Sequence, residues 1–122
     1  MDPETAVDIA RVPLDWDSVP EAVMPSLAGT VTRRFLSGEM LTVARVAFAA
    51  DSEMEVHSHP NEQFTLVLSG TMEFLVGGKP VTVQEGEILH LPAHVPHGAR
   101  SIGEAVVLDM FAPPRADWQQ PT

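Results

Sequence analysis

The chain has 122 residues, enough for one domain, and 44% of them are apolar, an ordinary fraction for a globular protein. Its 7 basic and 17 acidic residues leave a net charge of −10, which repels phosphate and argues against nucleic acid or anionic membrane surfaces as partners. Cysteine is absent, which excludes a disulfide framework, a thiolate nucleophile and a cysteine-based zinc site, and fits a reducing compartment.

Residues 1–26 read as an N-terminal arm. Pro3, Pro13, Pro20 and Pro25 forbid a long helix there. Half of the charge excess, −5, sits on this arm, from six acids against Arg11. Leu14, Trp16 and Val19 give it something to dock on the body or on a second subunit. The opening MDPETAVDIARVPLDWDS is acidic and lacks the apolar stretch of a signal peptide. No apolar run approaches the roughly 20 residues of a membrane span. A cytoplasmic location is therefore expected.

Residues 27–122 read as a single all-β domain with a C-terminal tail. Strands are expected over 30–36 and 40–49, parted by Ser37-Gly38-Glu39. Residues 63–68 form the next, ending at Ser69-Gly70, and 71–76 another, closed by Gly77-Gly78. That glycine pair is a hairpin signal. Strands at 80–84, 88–91 and 105–111 complete the series. Many short strands with glycine at the turns indicate a sandwich or small barrel.

All five histidines fall between residues 57 and 97. In a strand, residues i and i+2 face the same way, so the imidazoles of His57 and His59 can share a metal ion. Gln63 follows four residues after His59, and Gly70 seven further on. The run GEILHLPAHVPH, from Gly86 to His97, carries the other histidines. Antiparallel neighbours can converge such side chains to about 2.0–2.2 Å from a metal. His90 reads as a surface or pocket residue and His94 as a loop residue at the rim.

Asp109 interrupts the apolar run AVVLDMFA. Val107, Asp109 and Phe111 share one face and Val106, Leu108 and Met110 the other, as in a strand packed on both sides. A carboxylate there is costly unless it is paired or faces a cavity. Two readings stand: a structural pair with Arg45 or Arg100, or a general acid/base in a pocket.

The pattern H-x-H-x3-Q-x6-G, followed by G-x5-P-x4-H, resembles the two motifs of the cupin superfamily, G-x5-H-x-H-x3,4-E-x6-G and G-x5-P-x-G-x2-H-x3-N. The resemblance covers residues 40–111. Asp51 stands at the first glycine, Gln63 at the glutamate, His94 at the second-motif glycine and Ser101 at the asparagine. It implies a single-domain cupin, a small barrel or jelly roll, binding one divalent transition ion through His57, His59, Gln63 and His97. Mn, Fe, Ni, Co, Zn and Cu all suit such ligands. Glu62 is the alternative to Gln63. A one-residue shift turns a strand side chain to the opposite face, and Gln63 keeps the motif spacing. Three imidazoles and an amide would leave the ion's charge uncompensated, a setting for an anionic, oxygen-rich ligand.

Three stretches, RFLSGE (34–39), HSHPNEQ (57–63) and DMFAPPR (109–115), are similar to the small pectin-degradation cupins, which linearise 4,5-unsaturated uronates. This likeness implies catalytic roles for Asp109, Phe111 and Arg115, with Arg115 on the substrate carboxylate. Arg45, on the strand 40–49, reads equally as a second carboxylate-binding residue or as an exposed strand arginine. A homodimer is also expected. The competing readings are another metal-dependent cupin enzyme, such as a dioxygenase, lyase or polyketide cyclase, and a non-catalytic cupin that binds a small ligand.

Overall fold

The computed structural model describes residues 13–118, so the arm's Asp2, Glu4, Asp8 and Arg11 lie outside the described residues. Eight strands follow a short 3-10 turn at Trp16–Ser18: β1 (Ala22–Met24), β2 (Val31–Ser37), β3 (Thr42–Phe48), β4 (Glu53–His57), β5 (Glu62–Val76), β6 (Lys79–Gln84), β7 (Ile88–Leu91) and β8 (His97–Ala112). Every pairing is antiparallel. The fold is all-β, the jelly roll expected of a cupin.

Two long strands build both layers. β5 and β8 pair along their whole length, from Glu62 opposite Ala112 to Val76 opposite His97. The first half of β5 pairs with β7 and its second half with β6. The second half of β8 pairs with β3 and its first half with β4. One layer therefore runs β1-β2-β3-β8-β5-β7 and the other β4-β8-β5-β6. The register shifts between Val67 and Thr71, where the ribbon bends from one layer to the other. Gly70 makes that bend: its φ is +81°, and a Cβ there would lie 2.3 Å from the Glu104 carbonyl oxygen. The sequence reading of two separate strands, 63–68 and 71–76, is thus corrected to one bent strand. Gly70 changes the strand's direction without ending its ladder.

The first half of β8 was not expected, because HGARSIGE lacks an apolar alternation. It is recruited as the partner of β4 and of the second half of β5. The Gly77-Gly78 hairpin forms as expected: both residues have positive φ, 55° and 83°, as a type I′ turn requires.

Val31, Phe35, Val46, Phe48, Val67, Met72, Phe74, Val83, Val107 and Phe111 fill the space between the layers. Burial of such side chains contributes about 1.5–3 kcal/mol each. Val106, Leu108 and Met110, on the other face of β8, are only half-buried, so the expected packing on both faces of this strand is corrected to packing on one.

The described part of the arm is tied to its own chain. β1 pairs with β2 and Val19 is buried, whereas Leu14 is 62% exposed. Arg34 Nη1 donates to the carbonyls of Trp16, Asp17 and Val19 at 3.0, 3.3 and 2.9 Å, and its other terminal nitrogen is 3.3 Å from Glu21. Among the described residues no helix is long and apolar enough to cross a membrane.

Candidate metal centre

Three histidines meet at one end of the sandwich. His57 ends β4 opposite His97, which begins β8. His59 lies in the following loop, whose carbonyl accepts from the His94 backbone N–H at 2.8 Å. Asn61 Nδ2 ties the same loop to the Pro113 and Pro114 carbonyls at 2.6 and 3.2 Å. One ring nitrogen from each of His57, His59 and His97 lies within 4.8 Å of the other two.

The backbone assigns the tautomers. His57 Nδ1 is 3.0 Å from the Glu55 carbonyl, His59 Nδ1 3.0 Å from that of Asn61, and His97 Nδ1 2.9 Å from that of Val95. A carbonyl only accepts, so each Nδ1 carries the proton and each Nε2 presents a lone pair. A metal-ligating histidine is oriented in this way by its second nitrogen. His97 Nε2 is buried with no hydrogen-bond partner. Burial pushes the His97 imidazole down to about 4. Burial, and then the charge of Arg115, also lowers His59. Both shifts favour the neutral ring, the form that ligates.

Gln63 Oε1 lies 2.9 Å from His59 Nε2. Its amide is oriented by the other side: Nε2 donates to Thr65 Oγ1 at 2.8 Å and to Asp109 Oδ1 at 3.2 Å, and Thr65 Oγ1 donates to Asp109 Oδ1 at 2.6 Å. Two acceptors thus face each other across 2.9 Å. That contact is unfavourable alone and favourable when both face one cation. With the orphaned His97 Nε2, it means the donor set fits a metal ion. Glu62 points to the opposite face, where its carboxylate is 2.8 Å from His90 Nε2, and His90 stacks on Phe64 with ring centroids 4.7 Å apart.

His57, Gln63, His97, Asp109, Phe111 and Arg115 line one cavity between the layers. Asp109 comes from the middle of β8, with Thr65 and Ala44 as its cross-strand neighbours. Burial pushes its carboxyl up to about 6, against the hydrogen bonds from Thr65 and Gln63 and the charge of Arg115. The pairing of Asp109 with Arg45 or Arg100 does not occur. Arg100 is bound to Glu73 at 3.0 and 3.3 Å. Arg45 sits opposite Arg34 and Leu108, on the outer face, so it also cannot serve as a second carboxylate site in the cavity. Phe111 is 2% exposed, and its ring is 5.5 Å from that of His59. Arg115 Nε and Nη2 donate to the two Asp117 oxygens at 2.9 and 2.7 Å, and its backbone N–H donates to Thr42 Oγ1 at 2.9 Å.

Three residues at the site were not anticipated. Thr65 shares the inward face of β5 with Gln63, a placement readable from the two-residue spacing. Arg33 alternates with Val31 and Phe35, which marks a cation on the apolar face of β2. Trp118 comes from the tail and packs edge-on against Phe35 and Phe111, centroids 5.3 and 5.1 Å apart; nothing in the local sequence signals this.

The departures from the motif glycines keep the backbone that glycine favours. Asp51 has φ 54° and His94 φ 68°, both left-handed, at a cost of about 1–2 kcal/mol each for a residue with a Cβ. Asp51 Oδ1 offsets part of this by accepting the Gly103 N–H at 3.1 Å.

No curated protein sequence matches the chain. Several solved structures share its fold. An RmlC-like cupin from Shewanella frigidimarina is 25% identical with a TM-score of 0.74, over 85% of this chain and 92% of that one. KdgF from Halomonas sp. is 23% identical with a TM-score of 0.70, over 79% and 89%. The polyketide cyclase RemF from Streptomyces resistomycificus is 17% identical with a TM-score of 0.73, over 91% and 82%. The Cupin domain family matches residues 44–111, the stretch from β3 through both histidine segments to Phe111, and the chain therefore belongs to the cupin superfamily.

Proposed function

We propose that the protein is a metal-dependent enzyme acting on a small anionic, oxygen-rich substrate, and that its reaction is ring opening and tautomerisation of a 4,5-unsaturated uronate. The observation that carries this reading is the placement of Asp109 beside the histidine cluster, in one cavity with Phe111 and Arg115. The similarity of 34–39, 57–63 and 109–115 to the pectin-degradation cupins supports it, as does the fold shared with KdgF. Fold likeness alone does not choose a chemistry, since a polyketide cyclase shares this fold as well.

His57, His59 and His97, with Gln63, would hold one divalent transition ion. Bound there, the ion would supply Lewis acidity toward a substrate oxygen. The remaining chemistry belongs to the chain. Asp109 Oδ1 is held by Thr65 and Gln63, leaving Oδ2 to face the cavity as the proton carrier. It takes the proton of the anomeric hydroxyl while the bond from that carbon to the ring oxygen breaks. The bond's electron pair leaves an enolate oxygen, and Asp109 then returns the proton to the vinylic carbon, converting the enolate to a ketone. No atom is gained or lost. Phe111 walls the cavity, and Arg115, fixed by Asp117, adds positive charge to the wall that the substrate's acidic group meets.

The test follows the conjugated absorbance of an unsaturated uronate on adding metal-loaded protein. Loss well above the spontaneous rate is expected, and it should persist without oxygen, which would set aside a dioxygenase. A rate equal to the spontaneous one would overturn the proposal.

A further inference from the structure

The cavity beside the histidines encloses only about 50 Å³, whereas pockets for small molecules run from about 300 Å³ upward. Met24, Met54, His57, Arg115 and Trp118 also line a neighbouring vestibule of about 420 Å³. A sugar acid reaching the histidines must therefore extend into this vestibule, and its charge meets what lines that wall.

Arg33 lines it, together with Glu55, Arg115 and Asp117. The two arginines are in different states. Arg115 has its Nε and one terminal nitrogen committed to Asp117. The Arg33 side chain makes no hydrogen bond or ion pair among the described residues, and its Nε is buried without a partner. It is held by aromatic rings instead, its Cζ 4.0 Å from the Trp118 centroid and 5.5 Å from that of Phe35. Arg115 Cζ is 4.3 Å from the same Trp118 ring. Two guanidinium groups thus share one tryptophan, and only Arg115 is hydrogen-bonded to a carboxylate. Burial, and then the charge of Arg115, lowers the Arg33 pKa, with the charge of Asp117 acting against them.

We propose that Arg33 seats the substrate carboxylate in the vestibule through its open guanidinium edge, so that this role falls chiefly to Arg33 and Arg115 mainly braces the wall. The site is built for it. The rings fix the planar group without consuming its N–H donors, and a carboxylate can accept two of them in parallel. The identification of the anion as a uronate rests on the function proposed above; the anion seat itself does not.

The experiment titrates the metal-loaded full chain with D-galacturonate, a non-reacting acid, and with neutral D-galactose, following tryptophan fluorescence. Arg33→Gln is expected to weaken galacturonate at least about tenfold, the scale of a charge-assisted hydrogen bond, and to leave galactose unchanged. Arg33→Lys keeps the charge but not the fork, and should recover part of the loss. With unsaturated uronate, Arg33→Gln should raise KM by a similar factor and change kcat little. Galacturonate binding unaffected by Arg33→Gln, or galactose lost in equal measure, would overturn the seat. If Arg33→Gln fails to fold, Arg33→Lys decides: affinity for galacturonate equal to wild type would overturn it. Should the uronate not be turned over while galacturonate still depends on Arg33, the reaction falls and the seat stands. Turnover with an unchanged KM in Arg33→Gln would remove the seat and spare the reaction.

Discussion

Glu62 and Gln63 are neighbours on β5, and their surroundings are opposite. Gln63 is 5% exposed and faces His59, Thr65 and Asp109. Glu62 faces solvent and His90. The same division runs across the sheet. On the inner face Gln63, Thr65 and Asp109 form a connected chain of hydrogen bonds that holds one oxygen toward the histidines. On the outer face Glu62, Phe64 and His90 form an exposed hydrogen bond and a ring stack. Both faces carry a carboxylate, a histidine within reach and an aromatic ring. What differs is solvent. Inside, polar groups are desolvated and each must be met by a fixed partner or a ligand. Outside, water meets them, and a pair of charges is worth about 0–1 kcal/mol.

The sharpest way to break this comparison is to empty the inner face. The double variant His57→Ala/His59→Ala should lose its bound metal, while His90→Ala retains it. Elemental analysis that found full occupancy in the double variant would contradict the assignment. Next in size is Asp109→Asn. It should retain metal and lose turnover by about 10²–10⁴-fold, the usual contribution of a positioned proton carrier. Unchanged kinetics on an unsaturated uronate would take Asp109 out of the reaction. The smallest contrast sets the two neighbours side by side. Gln63→Leu should weaken metal binding by about 10–100-fold, the range for groups that hold or orient a metal's ligands. Glu62→Gln should leave metal affinity unchanged and alter folding stability by no more than about 0.5 kcal/mol, as for exposed substitutions. Competition with a chelator and urea titration read the two effects. Equal metal affinities in Gln63→Leu and Glu62→Gln would erase the distinction.

Much of the site could be read before the fold was seen, because alternation and spacing are local properties. The His-x-His pair and the four-residue step to Gln63 are motif spacings, with His59 in the loop between β4 and β5, and the grouping of Asp109 with Phe111 follows from two-residue periodicity along a strand. The same rule could have separated Arg33 from Arg45. Val31 and Phe35 flank Arg33 on its own face, whereas Ala44 and Val46 flank Arg45 on the opposite one. The tail motif ends at Arg115 and leaves out its partner Asp117, which stands only two residues further on. Trp118 had no local signal, as its contacts lie with Phe35 and Phe111, far away in the chain.

The bend in β5 makes the same point for the fold. Ser69-Gly70 looks like the end of a strand, and by local conformation it is a break. The long ladder with β8 carries pairing through it, because each side of the break finds its own register on the same partner. By itself the sequence determined the all-β character, the facing of each side chain along its strand, the glycine-pair hairpin and the ligand spacing of the histidines. Only the tertiary structure decided that β5 and β8 serve two layers, that one ring nitrogen from each of three histidines converges, and that the Arg33 Nε is buried without a hydrogen-bond partner. Periodicity states which way a side chain points. Whether it meets a partner, a cavity or water depends on segments that arrive from elsewhere in the chain.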